Sequence, residues 1–172
     1  MPLGNVYYYF KTKDAIGHAL VGHRANETQI RLAEWEKNPD PRARLDAFIR
    51  MTAENRELLA RSGCPIGTLC AELHKDGGDV ARNATGMFRE TLGWIEAQFR
   101  AGGFKSDSSS LAVHLLSALQ GASLLTHSFG DPRYIVGEAQ RIRGWLQELP
   151  FQQHTDGATR RKRKTSTTRD RT

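Results

Sequence analysis

The chain has 172 residues, of which 38% are hydrophobic and 26% charged, with two cysteines and a net charge of +6. That length suits one core domain with a small appendage. No apolar run approaches the ~20 residues of a membrane-spanning helix, MPLGNVYYYFKTK lacks the apolar stretch of a signal peptide, and two cysteines cannot build a disulfide framework, so a cytoplasmic protein without membrane contact is expected.

The charge is unevenly placed. In residues 151–172, Arg160, Arg161, Lys162, Arg163, Lys164, Arg169 and Arg171 stand against Asp156 and Asp170, so this stretch holds +5 and residues 1–150 only +1. A basic patch spread over the fold is therefore not implied. The stretch has no apolar periodicity and is expected to be a disordered basic tail, either a plain solvated end or a weak attractor of nucleic-acid phosphates.

Along the chain, the first segment, Leu3 to Phe10, reads as a short helix with Leu3, Val6 and Phe10 on one apolar face. A helix over residues 13–36 follows, with Thr12 as cap and Ala15, Ile16, Ala19, Leu20 and His23 as its stripe. Asn38-Pro39-Asp40-Pro41 stops it, and Asp40 before Pro41 is a start signal for a helix running to about Arg61. Its inner face is Leu45, Phe48, Ile49, Thr52 and Leu59. A short helix near Ile66 to His74 precedes Asp76-Gly77-Gly78. The next helix, about Asp79 to Ala101, shows Val80, Ala84, Met87, Phe88, Thr91, Leu92, Ile95 and Phe99 at helical spacing. No segment alternates with period two between hairpin turns, so the fold class is all-α.

The last two helices are richer in apolar positions. From Ser108 to Phe129 these cover more than half the circumference, and Asp131-Pro132 starts a final helix bearing Ile135, Val136, Ala139, Ile142, Trp145, Leu146 and Leu149. A two-faced helix in so small a body points to pairing with a second copy, and most homo-oligomers are two-fold dimers. The expected interface is Leu115, Leu119, Ala122, Ile135, Ala139, Ile142 and Leu146. A central helix in a monomeric bundle is the alternative.

The densest motif is Gly4-Asn5-Val6-Tyr7-Tyr8-Tyr9-Phe10-Lys11-Thr12-Lys13-Asp14. An amide, several phenols and two lysines on and after a small helix suit a nucleic-acid groove: the amide reads a base edge, while phenols and ammonium groups bond phosphates. An aromatic cluster packed on the domain is the competing reading. GNVYYYFKTKDAI resembles the end of the helix-turn-helix of TetR/AcrR-type transcriptional regulators, with Gly4, Val6, Tyr7, Tyr9, Phe10 and Lys13 matching its pattern. The layout downstream is also similar, and Gly63 to Leu73 resembles the short cavity-lining region of several members.

The resemblance implies that residues 1–14 end a truncated DNA-binding domain and that 15–150 form an effector-binding and dimerisation domain. It implies that Leu3, Gly4, Asn5 and Tyr7 face the groove, that Tyr8, Tyr9 and Lys13 hold phosphates, and that Val6 and Phe10 are buried. Two further helices would precede Met1 in such a protein. The implied function is a homodimeric repressor released from operator DNA by a small-molecule effector. The alternative is a dimerisation and ligand-binding remnant without specific DNA binding. The implied cavity has Phe48, Met51, Cys70, Met87, Phe88, Trp94, His114 and Gln120 as candidate liners, each also a natural core residue, and suits a small aromatic or amphipathic effector.

Enzyme chemistry finds little support. Cys70 and His74 lie four apart with Cys64 nearby, so a zinc site, a Cys-His pair or a thiol sensor can be drawn. No H-x-x-x-H, C-x-x-C, Walker, G-x-S-x-G or G-x-G-x-x-G sequence accompanies them. No cofactor, no metal and no catalytic residue are expected.

Overall fold

The computed structural model describes residues 10–152, and the regular structure among them is entirely helical. The elements are α1 (Lys13–Glu36), α2 (Pro41–Glu54), α3 (Arg56–Ser62), α4 (Pro65–Asp76), α5 (Gly78–Ala101), α6 (Ser108–Phe129) and α7 (Arg133–Glu148). The recognition-like residues Leu3 to Tyr9 and the basic run 153–172 lie outside the described residues. No helix among those described is long and apolar enough to cross a membrane.

The starts follow local chemistry. Thr12 Oγ1 accepts from the Ala15 amide at 3.1 Å, and Asp40 accepts from the Arg42 amide at 2.9 Å with Pro41 in the first turn. Each cap satisfies a donor that the helix cannot, worth about 1 kcal/mol. The expected single helix from Pro41 to Arg61 is in fact two. Asn55 sits between them at φ −83°, ψ 15°, and its side-chain amide donates to the Met51 carbonyl at 2.8 Å. Asparagine competes with the backbone for hydrogen bonds, which breaks the helix there. Gly63 ends α3 at φ +70°, where a Cβ would also meet Thr68 Oγ1 at 2.8 Å, so both conformation and space require glycine.

The core is built around α6, which packs on α3, α5 and α7. Leu45, Ile49, Ile95, Phe99, Leu115, Leu119, Ile135 and Leu146 are the large side chains buried there. Burying each contributes up to about 1.5–3 kcal/mol. Thr126, fully buried, accepts from the Ile135 amide at 3.0 Å and so satisfies the first turn of α7 from inside the core. Asp46 on α2 pairs with Arg143 on α7 at 2.6 Å. Arg42 donates to the Leu149 carbonyl at 2.6 Å and lies 4.8 Å over the Phe151 ring, holding the end of α7 and the residues after it against the bundle.

α1 differs from expectation in its facing. Ile16 and Leu20 are exposed, as are Ala19 and His23. The inward line is Gly17, Val21, Ala25, Thr28, Leu32 and Trp35, with Val21 and Leu32 buried. At Gly17 a Cβ would stand 2.8 Å from Val80 Cγ1, so α1 and α5 approach closely there. A stripe chosen by apolar character alone lands on the wrong side, because the inward residues include a glycine, a threonine and a tryptophan.

Candidate effector cavity and subunit face

A cavity of ≈ 220 Å³ lies among α1, α2, α3, the start of α4, α5 and α6. Leu32 and Trp35 come from α1, Phe48 and Met51 from α2, Ile66 from α4, Phe88 from α5, and Leu116 from α6. Trp35 meets Phe48 edge-on, ring centroids 5.9 Å apart, and Trp94 backs both of them. An aromatic-walled cavity with polar groups set among apolar ones is a usual form of a small-molecule site.

The polar groups on the wall are already engaged in one direction. The hydroxyls of Thr28, Thr52, Thr91 and Ser123 each donate to the carbonyl one turn back in their own helix. Asn55 does the same with its amide. What these side chains turn to a ligand is therefore acceptor lone pairs. Gln120 on α6 makes no side-chain hydrogen bond among the described residues. On the α1 wall Arg24 pairs with Glu27 at 2.8 Å, while Arg31 has no acidic partner among the described residues.

Of the eight expected liners, Phe48, Met51, Phe88 and Gln120 border this cavity. The other four do not. Cys70 and Met87 belong to a second apolar cluster with Val21, Val80 and Ala84. Trp94 stands behind Trp35 and Phe48. His114 lies on an exposed face of α6, its ring 4.8 Å from that of Trp145. The liners missed from sequence, Thr28, Trp35 and Leu32, follow from the true inward line of α1. Asn55 and Cys64 follow from the α2–α3 break and the α4 start, which periodicity does not signal.

The C-terminal end of α1 is tied down by one carboxylate. Glu36 Oε1 accepts from Trp94 Nε1 at 2.7 Å and Gln98 Nε2 at 3.0 Å. Its other oxygen meets Arg44 at 2.9 Å, and Arg44 also donates to Gln98 Oε1 and to the Asn38 carbonyl. Toward the other end, α1 meets α5 through Gly17 at Val80 and a 3.4 Å contact of His18 with Asn83. The C-terminal half of α1, Arg24 to Trp35, thus borders the cavity beside the Glu36 anchor, while its N-terminal half packs through Gly17, Val21 and Ala25 on the apolar cluster with Val80, Ala84 and Met87.

The cysteines are structural in placement. Cys64 Sγ caps α4 by accepting from the Gly67 amide at 3.4 Å. Cys70 donates to the Ala84 carbonyl at 3.1 Å, and burial, with Cys64 as the smaller cause, pushes its thiol above the ordinary range. Among the described residues no three His, Cys, Asp or Glu side chains gather as a metal would require.

The expected dimer residues are corrected by their burial. Leu115, Leu119, Ala122, Ile135, Ala139, Ile142 and Leu146 are all spent in the core of the single chain. The most regular apolar stripe is the one the single chain uses for itself. On α6 and α7 the large apolar side chains left exposed are Val113, Leu124, Leu125, Phe129 and Tyr134, with Leu124 65% and Phe129 64% exposed. At about 100° per residue Val113, Ser117 and Leu124 fall on the side of α6 opposite Leu115 and Leu119. Ser117, Ala118 and Gly121 form a shallow notch there, rimmed by Leu125, Tyr134 and the Glu138–Arg141 pair.

Residues 41–135, more than half of the chain, match the family model described as transcriptional regulator LmrA/YxaF-like, C-terminal domain. A search of curated proteins finds no match.

Proposed function

The chain belongs to the TetR-type transcriptional regulators with an LmrA/YxaF-like C-terminal domain, and on that premise we propose that it is a homodimeric, cytoplasmic repressor released from operator DNA by a small molecule. The observation that carries this reading is the aromatic-walled cavity bounded by α1, the helix that leads directly from the recognition-like segment. A ligand that prefers one position of α1 biases the equilibrium between DNA-competent and DNA-incompetent arrangements by its differential affinity alone. Glu36 anchors the cavity end of the helix, and the opposite end leads to the DNA-reading residues, so a ligand that shifts α1 acts on them through one continuous helix.

In this reading Leu3, Gly4, Asn5 and Tyr7 face bases, while Tyr8, Tyr9 and Lys13 hold phosphates. The exposed faces of α6 and α7 around Leu124, Phe129 and the Ser117–Gly121 notch pair two copies and so set the distance between recognition helices. No catalytic role is assigned to any residue. Selection of bound DNA from a random-sequence pool, using the full chain, is the test. The expected product is a palindromic site with half-sites spaced by whole helical turns. Recovery of DNA without a common sequence would refute the operator reading and favour a dimerising ligand-binding protein without specific DNA binding.

A further inference from the structure

The cavity wall is selective in charge, and we infer that its ligand is an aromatic carboxylate whose ring lies among Trp35, Phe48 and Phe88 and whose anionic group meets Arg31. This rests on the reading of the cavity as the effector site. The interior hydroxyls have given their protons to their own helices, so they offer acceptors and would repel a carboxylate placed among them. Among the described residues Gln120 is the one interior side chain with free N–H donors and it is neutral, so the charge match for an anion lies at the edge, where the α1 wall carries two arginines and one glutamate. Glu27 already serves Arg24 at 2.8 Å and stands 3.4 Å from His23, whereas Arg31 has no acidic partner among the described residues. The edge is thus net positive, and no acidic group on the lining other than Glu27 answers a cation. Guanidinium and carboxylate match in a two-pronged hydrogen-bonded pair. A cavity of ≈ 220 Å³ admits a two-ring aromatic acid.

Calorimetric titration of the full chain with 2-naphthoate, 2-naphthamide and 2-naphthylmethylammonium tests this. The naphthoate is expected to bind about fivefold more tightly than the amide, the advantage of a partly exposed ion pair, and the ammonium weakest. The advantage should shrink with added salt. Arg31→Gln should bring naphthoate to the level of the amide while leaving the amide unchanged, and Arg31→Lys should keep part of the preference. If the amide or the ammonium binds as tightly as the carboxylate, or Arg31→Gln weakens all three alike, the charge assignment is overturned and the cavity reading stands. If none of the three binds, both fail together.

Discussion

Leu119 and Leu124 are five positions apart on one helix, yet they should fail in opposite ways when altered. Leu119 is 1% exposed within the single chain, so Leu119→Ala leaves a cavity and should cost about 2–5 kcal/mol of folding stability. In a chain of this size that lowers the melting temperature by several degrees. Leu124 is 65% exposed, so Leu124→Glu should change the folding of one subunit by less than about 0.5 kcal/mol. In a two-fold dimer, however, the residue occurs twice. Losing burial of two leucines removes roughly 3–6 kcal/mol of association energy, or about two to four powers of ten in Kd. Sedimentation velocity across the micromolar range, paired with urea unfolding, reads both quantities. Leu124→Glu should be a folded monomer, and Leu119→Ala a weakened but paired protein. A Leu124→Glu variant that sediments as an unperturbed dimer would refute the assignment of this face.

Four further expectations follow from single sites. Thr126→Val keeps the shape but leaves the buried Ile135 amide without its acceptor, and urea unfolding should show a loss of about 1–2 kcal/mol. Glu36→Gln weakens the partly exposed anchor of α1 by about 1 kcal/mol and should alter the effector concentration needed for DNA release more than it alters melting. For Cys70, burial raises the folded thiol above its unfolded value, so the folded state holds that proton more tightly. Its contribution to stability is intact below the ordinary thiol pKa and is lost as pH rises through the folded value. Urea midpoints from neutral to alkaline pH should therefore fall more for the wild type than for Cys70→Ala, and equal slopes would contradict the shift. At the recognition-like segment, Asn5→Ala should relax sequence preference by about 1–3 kcal/mol, whereas Lys13→Gln should weaken all DNA alike and lower the salt slope, both read by binding titrations at several ionic strengths.

Much of the architecture is legible in the chain because it is encoded locally. Thr12 and Asp40-Pro41 mark helix starts, Asn38-Pro39 and Asp76-Gly77-Gly78 mark ends, and the α5 stripe from Val80 to Phe99 is the one found buried, with Phe88 and Leu92 at its margin. The cavity was half legible: Phe48, Met51 and Phe88 are apolar residues at helical spacing, and Gln120 is a polar residue on a largely apolar helix. Trp35 and Thr28 were obscured by the more apolar Ile16 and Leu20, which face outward.

Sequence alone determined that this protein is helical, where its helices begin, and which DNA-reading motif it resembles, since capping, periodicity and motif spacing depend on neighbours within a few turns. Tertiary structure decided which side of α1 faces the cavity, that Asn55 divides α2 from α3, and which side of α6 stays outside. On α6 both sides are apolar, and no local preference distinguishes them. The choice is made by the surfaces of α3, α5 and α7, which bury Leu115 and Leu119 and leave Val113 and Leu124 in solvent.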